Sequence, residues 1–203
     1  RECKEKFVSY LNDKKENKET IKGKRVSIYD FVKDAIKYSS HEDGEAQLMK
    51  DTLNSQWENN SKQNFSLNNM IALVDTSGSM ECDNCQPLYN AIGLGIRISE
   101  KTSPAFRNRV LTFSAEPTWV NLDNEKTFCD KVSKVKSAIW GMNTNIYKAF
   151  ELILAAVGSA KMSVEEVENL TLVILSDMQI DNSCKGQWSS TTLFENIKSL
   201  FHE

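Results

Sequence analysis

The stretches "MIALVD" (70–75) and "LTLVILSD" (170–177) constrain the fold most strongly. The first is a short, unbroken apolar run closed by an aspartate, and the second, apolar apart from Thr171, ends in Ser176 and Asp177. A strand with one face in water alternates apolar and polar residues. Unbroken runs of this length therefore predict strands buried on both faces, with helices covering each side of the sheet. The intervening chain has helical spacing. "QPLYNAIGLGIRISE" places Leu88, Ile92 and Ile96 on one stripe, with Pro87 suited to the first turn. Gly93 and Gly95 each cost a helix about 1 kcal/mol relative to alanine, which predicts close packing on the sheet. "RVLTF" and "TWV" predict a second and third strand around the turn "SAEP". Phe128, Val132 and Val135 mark another helix, and "NIYKAFELILAAVG" a mostly apolar one. "SVEEVENL" predicts a short helix with a Ser163/Glu166 capping box, and "TTLFENIKSLFHE" a last one with Thr192 and Glu195 as its box. Strands alternating with helices predict an α/β domain over residues 67–203, its mostly parallel sheet lying between helices.

Residues 1–66 contain no strand pattern and predict a helical N-terminal extension and linker. Phe31, Val32, Ala35 and Ile36 fall at helical spacing behind a Ser27/Asp30 cap. Met49, Leu53 and Trp57 share a second helical face. "NNSKQNFSLNN" then reads as a polar loop.

Composition narrows the function. The 203 residues carry a net charge of −3, with 40% hydrophobic and 26% charged residues. This is an ordinary globular balance without the broad basic surface that nucleic acid or an anionic membrane would attract. No apolar run is long enough to span a bilayer, and the first twenty residues are too charged for a secretory signal. Cys3, Cys82, Cys85, Cys129 and Cys184 are odd in number and show no disulfide framework. Free thiols in a reducing intracellular compartment, the cytoplasm, are expected. The chain begins at Arg1 rather than Met and is read as part of a longer protein.

In open α/β sheets, ligands bind beyond the carboxyl ends of the strands. Asp75 and Asp177 close the two apolar runs there. Taken alone, "DTSGSM" is equally a turn, with Gly78 permitting positive φ. "GMNTNI" adds Thr144 in a polar loop at a helix start, and "SDMQID" adds Asp177. Two acids and three hydroxyls on three loops suit a hard cation, Mg²⁺ first and Mn²⁺ or Ca²⁺ as alternatives. The i, i+2, i+4 spacing lets Asp75, Ser77 and Ser79 turn their oxygens to one side of a tight loop. So few carboxylates would leave such an ion positively charged, and an acidic group from outside could complete its shell.

"DTSGSM", "NTN" and "SD", in this order, resemble the metal-ion-dependent adhesion site of von Willebrand factor A domains, a Rossmann-like fold. The resemblance implies a metal site at Asp75, Ser77, Ser79, Thr144 and Asp177, and "RVLTFSAEPTWV" fits that family's second and third strands. "SDMQID", "WGMNTNIYKAFELIL" and "QPLYNAIGLGIRISE" are similar to an uncharacterised family of plants and large DNA viruses, with a helical N-terminal region and a C-terminal A domain. That family is distantly similar to the Ro ribonucleoprotein. The resemblance implies a non-enzymatic module whose metal holds the Asp or Glu carboxylate of a protein partner. An RNA-associated protein, with RNA on the helical region, is the alternative. Two departures stand out. Many A domains read "SDG" where this chain reads "SDM". A full A domain also adds two strands and a helix after the last helix here, so "LTLVILS" would be a bare apolar edge.

Enzymatic readings fare less well. "DTSGS" superficially resembles the aspartyl-phosphate loop of phosphotransferases, which makes a phosphatase-like metal enzyme the third reading. Those enzymes place a second acid where this chain has Ser77. A serine hydrolase needs a base, and His41 and His202 read as surface residues. The CxxC pair Cys82 and Cys85 is compatible with redox chemistry, half a zinc site or two thiols in a loop. Trp57, Trp119, Trp140 and Trp188 read as packing residues.

Overall fold

A computed structural model describes residues 2–17, 19, 21–62, 67, 69–113, 116–138, 146–177 and 195. Strand β1 (Met70–Asp75) forms the centre of a four-stranded sheet. It pairs in parallel with β2 (Arg109–Phe113) on one side, where Leu73 faces Leu111. On the other side it pairs in parallel with β4 (Thr171–Leu175), where Val74 faces Leu175. A short β3 (Trp119–Asn121) runs antiparallel to β2 and gives the order β3-β2-β1-β4.

The unbroken apolar run of β1 has the expected cause. Ala72 and Val74 point into one hydrophobic cluster with Leu88, Ile92 and Ile96 of α4 (Cys82–Lys101). Ile71 and Leu73 point into a second cluster with Ile146, Ala149 and Ile153 of α6 (Ile146–Ser159). The two faces of the strand from Ile71 to Val74 are thus equally dry.

The equivalent run in β4 behaves differently. It is only partly buried, and Ile174 remains 36% exposed. The expectation of a strand buried on both faces fails here because β4 lies at the edge of the described sheet. A one-dimensional run of apolar residues reads alike at a centre and at an edge.

The remaining helices build outward from α4. Gly95 lets it lie close on β1, since a Cβ there would come within 2.5 Å of Val74 Cγ2. Gly93 serves a different neighbour. Its missing Cβ makes room for Ile28 Cγ2 at 2.4 Å, on α2 (Ile28–Ser39) rather than on the sheet. Helix α2 starts as expected, with Ser27 Oγ accepting from the Asp30 amide at 3.1 Å. Its Phe31 meets Trp57 of α3 (Gly44–Ser61) edge-on at 5.3 Å, and Trp57 stacks at 4.0 Å on Phe128 of α5 (Phe128–Lys136). Leu53 and Trp57 are buried along α3, while Met49 is half-buried.

Helix α1 (Glu2–Glu16) precedes these, and the short α7 (Val164–Glu168) carries the expected Ser163/Glu166 capping box. The expected last helix, from 191 onward, lies outside the described residues apart from Glu195. No described helix is long and apolar enough to cross a membrane.

Candidate metal centre

Sheet topology singles out one edge. The chain leaves β1 toward β2 on one side and returns through β4 on the other, so its direction of winding reverses between β1 and β4. Crevices open at such reversals, beyond the carboxyl ends of the strands. Asp75 is the last residue of β1, and Ser176 and Asp177 directly follow β4.

Asp75 is 0% exposed. The Ser77 amide donates to its Oδ1 at 2.9 Å, and Ser176 Oγ donates to its Oδ2 at 2.5 Å. A buried carboxylate needs compensation, because leaving water costs a charge far more than two neutral hydrogen bonds return. Thr76, also fully buried, has a side-chain hydroxyl with no hydrogen-bond partner. Two successive residues at the end of the central strand thus bury polar groups, one of them without a partner.

The loop that follows is shaped by a 3-10 turn, Gly78–Glu81. Ser77 occupies the capping position of that turn, yet its side chain makes no capping bond. Its Oγ lies instead 3.0 Å from Ser79 Oγ. The i, i+2, i+4 spacing thus brings the Ser77 and Ser79 hydroxyls together beside Asp75. Gly78 plays a smaller part than expected. Among the described residues no glycine has positive φ, and a Cβ at 78 would meet nothing within 4 Å. The turn is right-handed, so it needs no left-handed residue.

Of the five sequence-predicted ligands, Asp75, Ser77 and Ser79 share this loop. Asp177 is half-buried, immediately past the end of β4. Thr144 lies outside the described residues. Sequence reasoning missed Ser176 and Thr76. The signal for Ser176 was its place in the "SD" pair: parallel register carries it one step beyond Leu175, level with Asp75. Thr76 carries no such signal, because nothing in "DTSGS" marks which hydroxyl is turned inward.

All these groups are hard oxygen donors, the chemistry that Mg²⁺, Mn²⁺ and Ca²⁺ take. Among the described residues, no three His, Cys, Asp or Glu side chains converge as a metal cluster. A site built from the described residues therefore depends on hydroxyls as well as on acids. His41 is exposed, and its Nδ1 lies 3.0 Å from the Lys37 carbonyl. His202 lies outside the described residues.

An uncharacterised protein of Acanthamoeba polyphaga mimivirus is 34% identical to this chain over 184 residues. The match covers 89% of this chain and 30% of the viral protein, so the chain spans about 30% of that relative's length. No solved structure matches. A family model described as a domain of unknown function, DUF7788, matches residues 69–203, from the start of β1 to the last residue. Since that match covers well over half of the sequence, the chain belongs to the DUF7788 family.

Proposed function

We propose that the chain is an A-domain-like, non-enzymatic binding module. It holds Mg²⁺, or Mn²⁺ or Ca²⁺, through Asp75, Ser77, Ser79, Thr144 and Asp177, and presents it to an Asp or Glu carboxylate of a protein partner. The observation that carries this reading is Asp75: a fully buried carboxylate at the end of the central strand, flanked by the paired Ser77 and Ser79 hydroxyls. The strand order, with an antiparallel β3 outside β2 and β4 on the far side of β1, supports the A-domain assignment.

Each residue of the chain has a task in this reading. Asp75 supplies charge, and Ser176 and the Ser77 amide fix its carboxylate plane. Ser77 and Ser79 supply neutral oxygens, so the site cancels little of a divalent charge. A bound cation would supply positive charge in a water-poor crevice, where a carboxylate is held far better than by a hydrogen bond alone.

Titration calorimetry with Mg²⁺ and Mn²⁺ tests the site. Asp75→Asn and Ser79→Ala are expected to weaken binding at least about tenfold, as losses around metal sites commonly do. Equal affinity in wild type and both variants overturns the metal assignment. Capture of a carboxylate-bearing partner is expected to fail on chelation and in Thr144→Ala. By linkage, the partner raises metal affinity by the factor that metal raises the partner's. Metal-dependent turnover of a phosphoester would point to the enzyme instead.

A further inference from the structure

Helix α4 opens with a backbone anomaly. Asp83, Asn84 and Cys85 have φ of 48°, 58° and 60°, three consecutive left-handed residues with no glycine among them. Asparagine and aspartate tolerate that region, but other side chains such as that of Cys85 are strained there. The surrounding structure pins the turn. Tyr29 Oη donates to the Asn84 carbonyl at 3.4 Å. Tyr29 stacks at 5.7 Å on Tyr89, which lies one helical turn beyond Cys85 on α4. Two helices thus clamp a segment that would otherwise relax.

The clamped residues lie between two cysteines. Two successive left-handed residues at the centre of a four-residue turn, here Asp83 and Asn84, make a tight type I′-like reversal. The first and last Cα of such a turn lie within about 7 Å, and disulfides span Cα separations of about 4.4–6.8 Å. Cys82 is exposed and Cys85 half-buried, both as free thiols. Cys129, the other cysteine whose burial is described, is buried in the core.

We propose that Cys82 and Cys85 form a reversible dithiol–disulfide pair, a modification site that takes a low-molecular-weight disulfide such as oxidised glutathione. Exposed Cys82 attacks. Its thiolate displaces one glutathione thiolate and leaves a mixed disulfide at Cys82. The Cys85 thiolate, carried close by the turn, then attacks Cys82 Sγ, closes the Cys82–Cys85 bond and releases the second glutathione. Two protons and two electrons leave the protein, and one oxidised glutathione becomes two reduced ones. The site is independent of any cation.

The experiment exposes the chain to graded mixtures of reduced and oxidised glutathione, blocks free thiols with an alkylating agent, and maps peptides by mass. Wild type is expected to show a Cys82–Cys85 bond that returns to two thiols under reduced glutathione. Cys85→Ser is expected to stop at a persistent glutathione adduct on Cys82, and Cys82→Ser to form neither species. Asn84→Pro, whose φ is fixed near −65° and so breaks the left-handed turn, is expected to lower the yield of the bond at least roughly tenfold at equal oxidant. Asn84→Gly, which keeps the turn without strain, retains the bond and controls for a folding defect in the proline variant. A glutathione adduct on Cys82 that persists in wild type, or equal yields from Asn84→Pro and wild type, overturns the proposal.

Discussion

Cys129 reads in sequence as an isolated cysteine, and only packing gives it a character. Its side chain is buried where α5 meets α3, 3.8 Å from the Lys50 carbonyl, and its amide donates to Asn54 Oδ1 at 3.1 Å. Burial, helped by the nearby Asp130 carboxylate, pushes the thiol up to about 12 from 9.0. An unfolded chain would release this proton above pH 9, whereas the folded chain keeps it. The stability associated with Cys129 is therefore fully present below pH 9 and falls as pH rises toward 12. Arg97 works in the opposite sense. Burial lowers its guanidinium to about 10 from 12.5, against the pull of Glu100. Its contribution therefore runs the other way, with stability rising with pH at the alkaline end. From pH 9 to 10 the cysteine outweighs the arginine, and the comparison with a variant lacking the thiol isolates it. Urea midpoints measured at both values should show wild type losing about 1 kcal/mol more than Cys129→Ala does.

At the scale of elements, two glycines separate what composition shows from what contact decides. In α4, a Cβ on Gly95 would strike Val74 Cγ2 at 2.5 Å, in the seam between helix and central strand. In α6, a Cβ on Gly158 would meet nothing within 4 Å. Both changes to alanine improve helix propensity by up to about 1 kcal/mol. At Gly95 the overpacking costs about 1–3 kcal/mol, so the net effect is loss. Thermal melts should show Gly95→Ala melting below wild type and Gly158→Ala at or above it. The same divide governs how much could be read from the sequence. Strand β1, the caps at Ser27 and Ser163, and the α4 stripe were legible because periodicity and local hydrogen bonds encode them. The loop holding Asp75, Ser77 and Ser79 was legible because an acid closing a buried strand is rare without a purpose. The edge position of β4, the helix that Gly93 accommodates, the left-handed turn at 83–85 and the bond from Ser176 to Asp75 were not legible. Each depends on which distant segment packs alongside, and spacing carries no record of that.

Across the whole molecule, one hydrophobic cluster runs from α2 and α3 through α4 and α5 to the sheet. Phe31, Val32, Leu53 and Trp57 from the first 66 residues share it with Ala72 and Val74 of β1. Phe31 is its pivot: 0% exposed, edge-on to Trp57 at 5.3 Å and to Phe128 at 6.0 Å. Trp57 extends the linkage, because its Nε1 donates to Glu100 Oε2 at 3.0 Å, and Lys131 Nζ holds the other oxygen at 2.8 Å. The helical segment before β1 thus braces the outer face of α4, whose inner face lies on the strand that carries Asp75. Removing a buried phenylalanine side chain costs about 3–5 kcal/mol. If the brace and the sheet form one cooperative unit, Phe31→Ala should lower the free energy of opening equally in both. Native-state hydrogen exchange measures this residue by residue. The amides of Val32 and Ala35 in α2 and those of Leu73 and Val74 in β1 should lose protection by the same increment. Loss confined to α2 and α3, with β1 unchanged, would show instead that the helices open separately and that the candidate site does not depend on them.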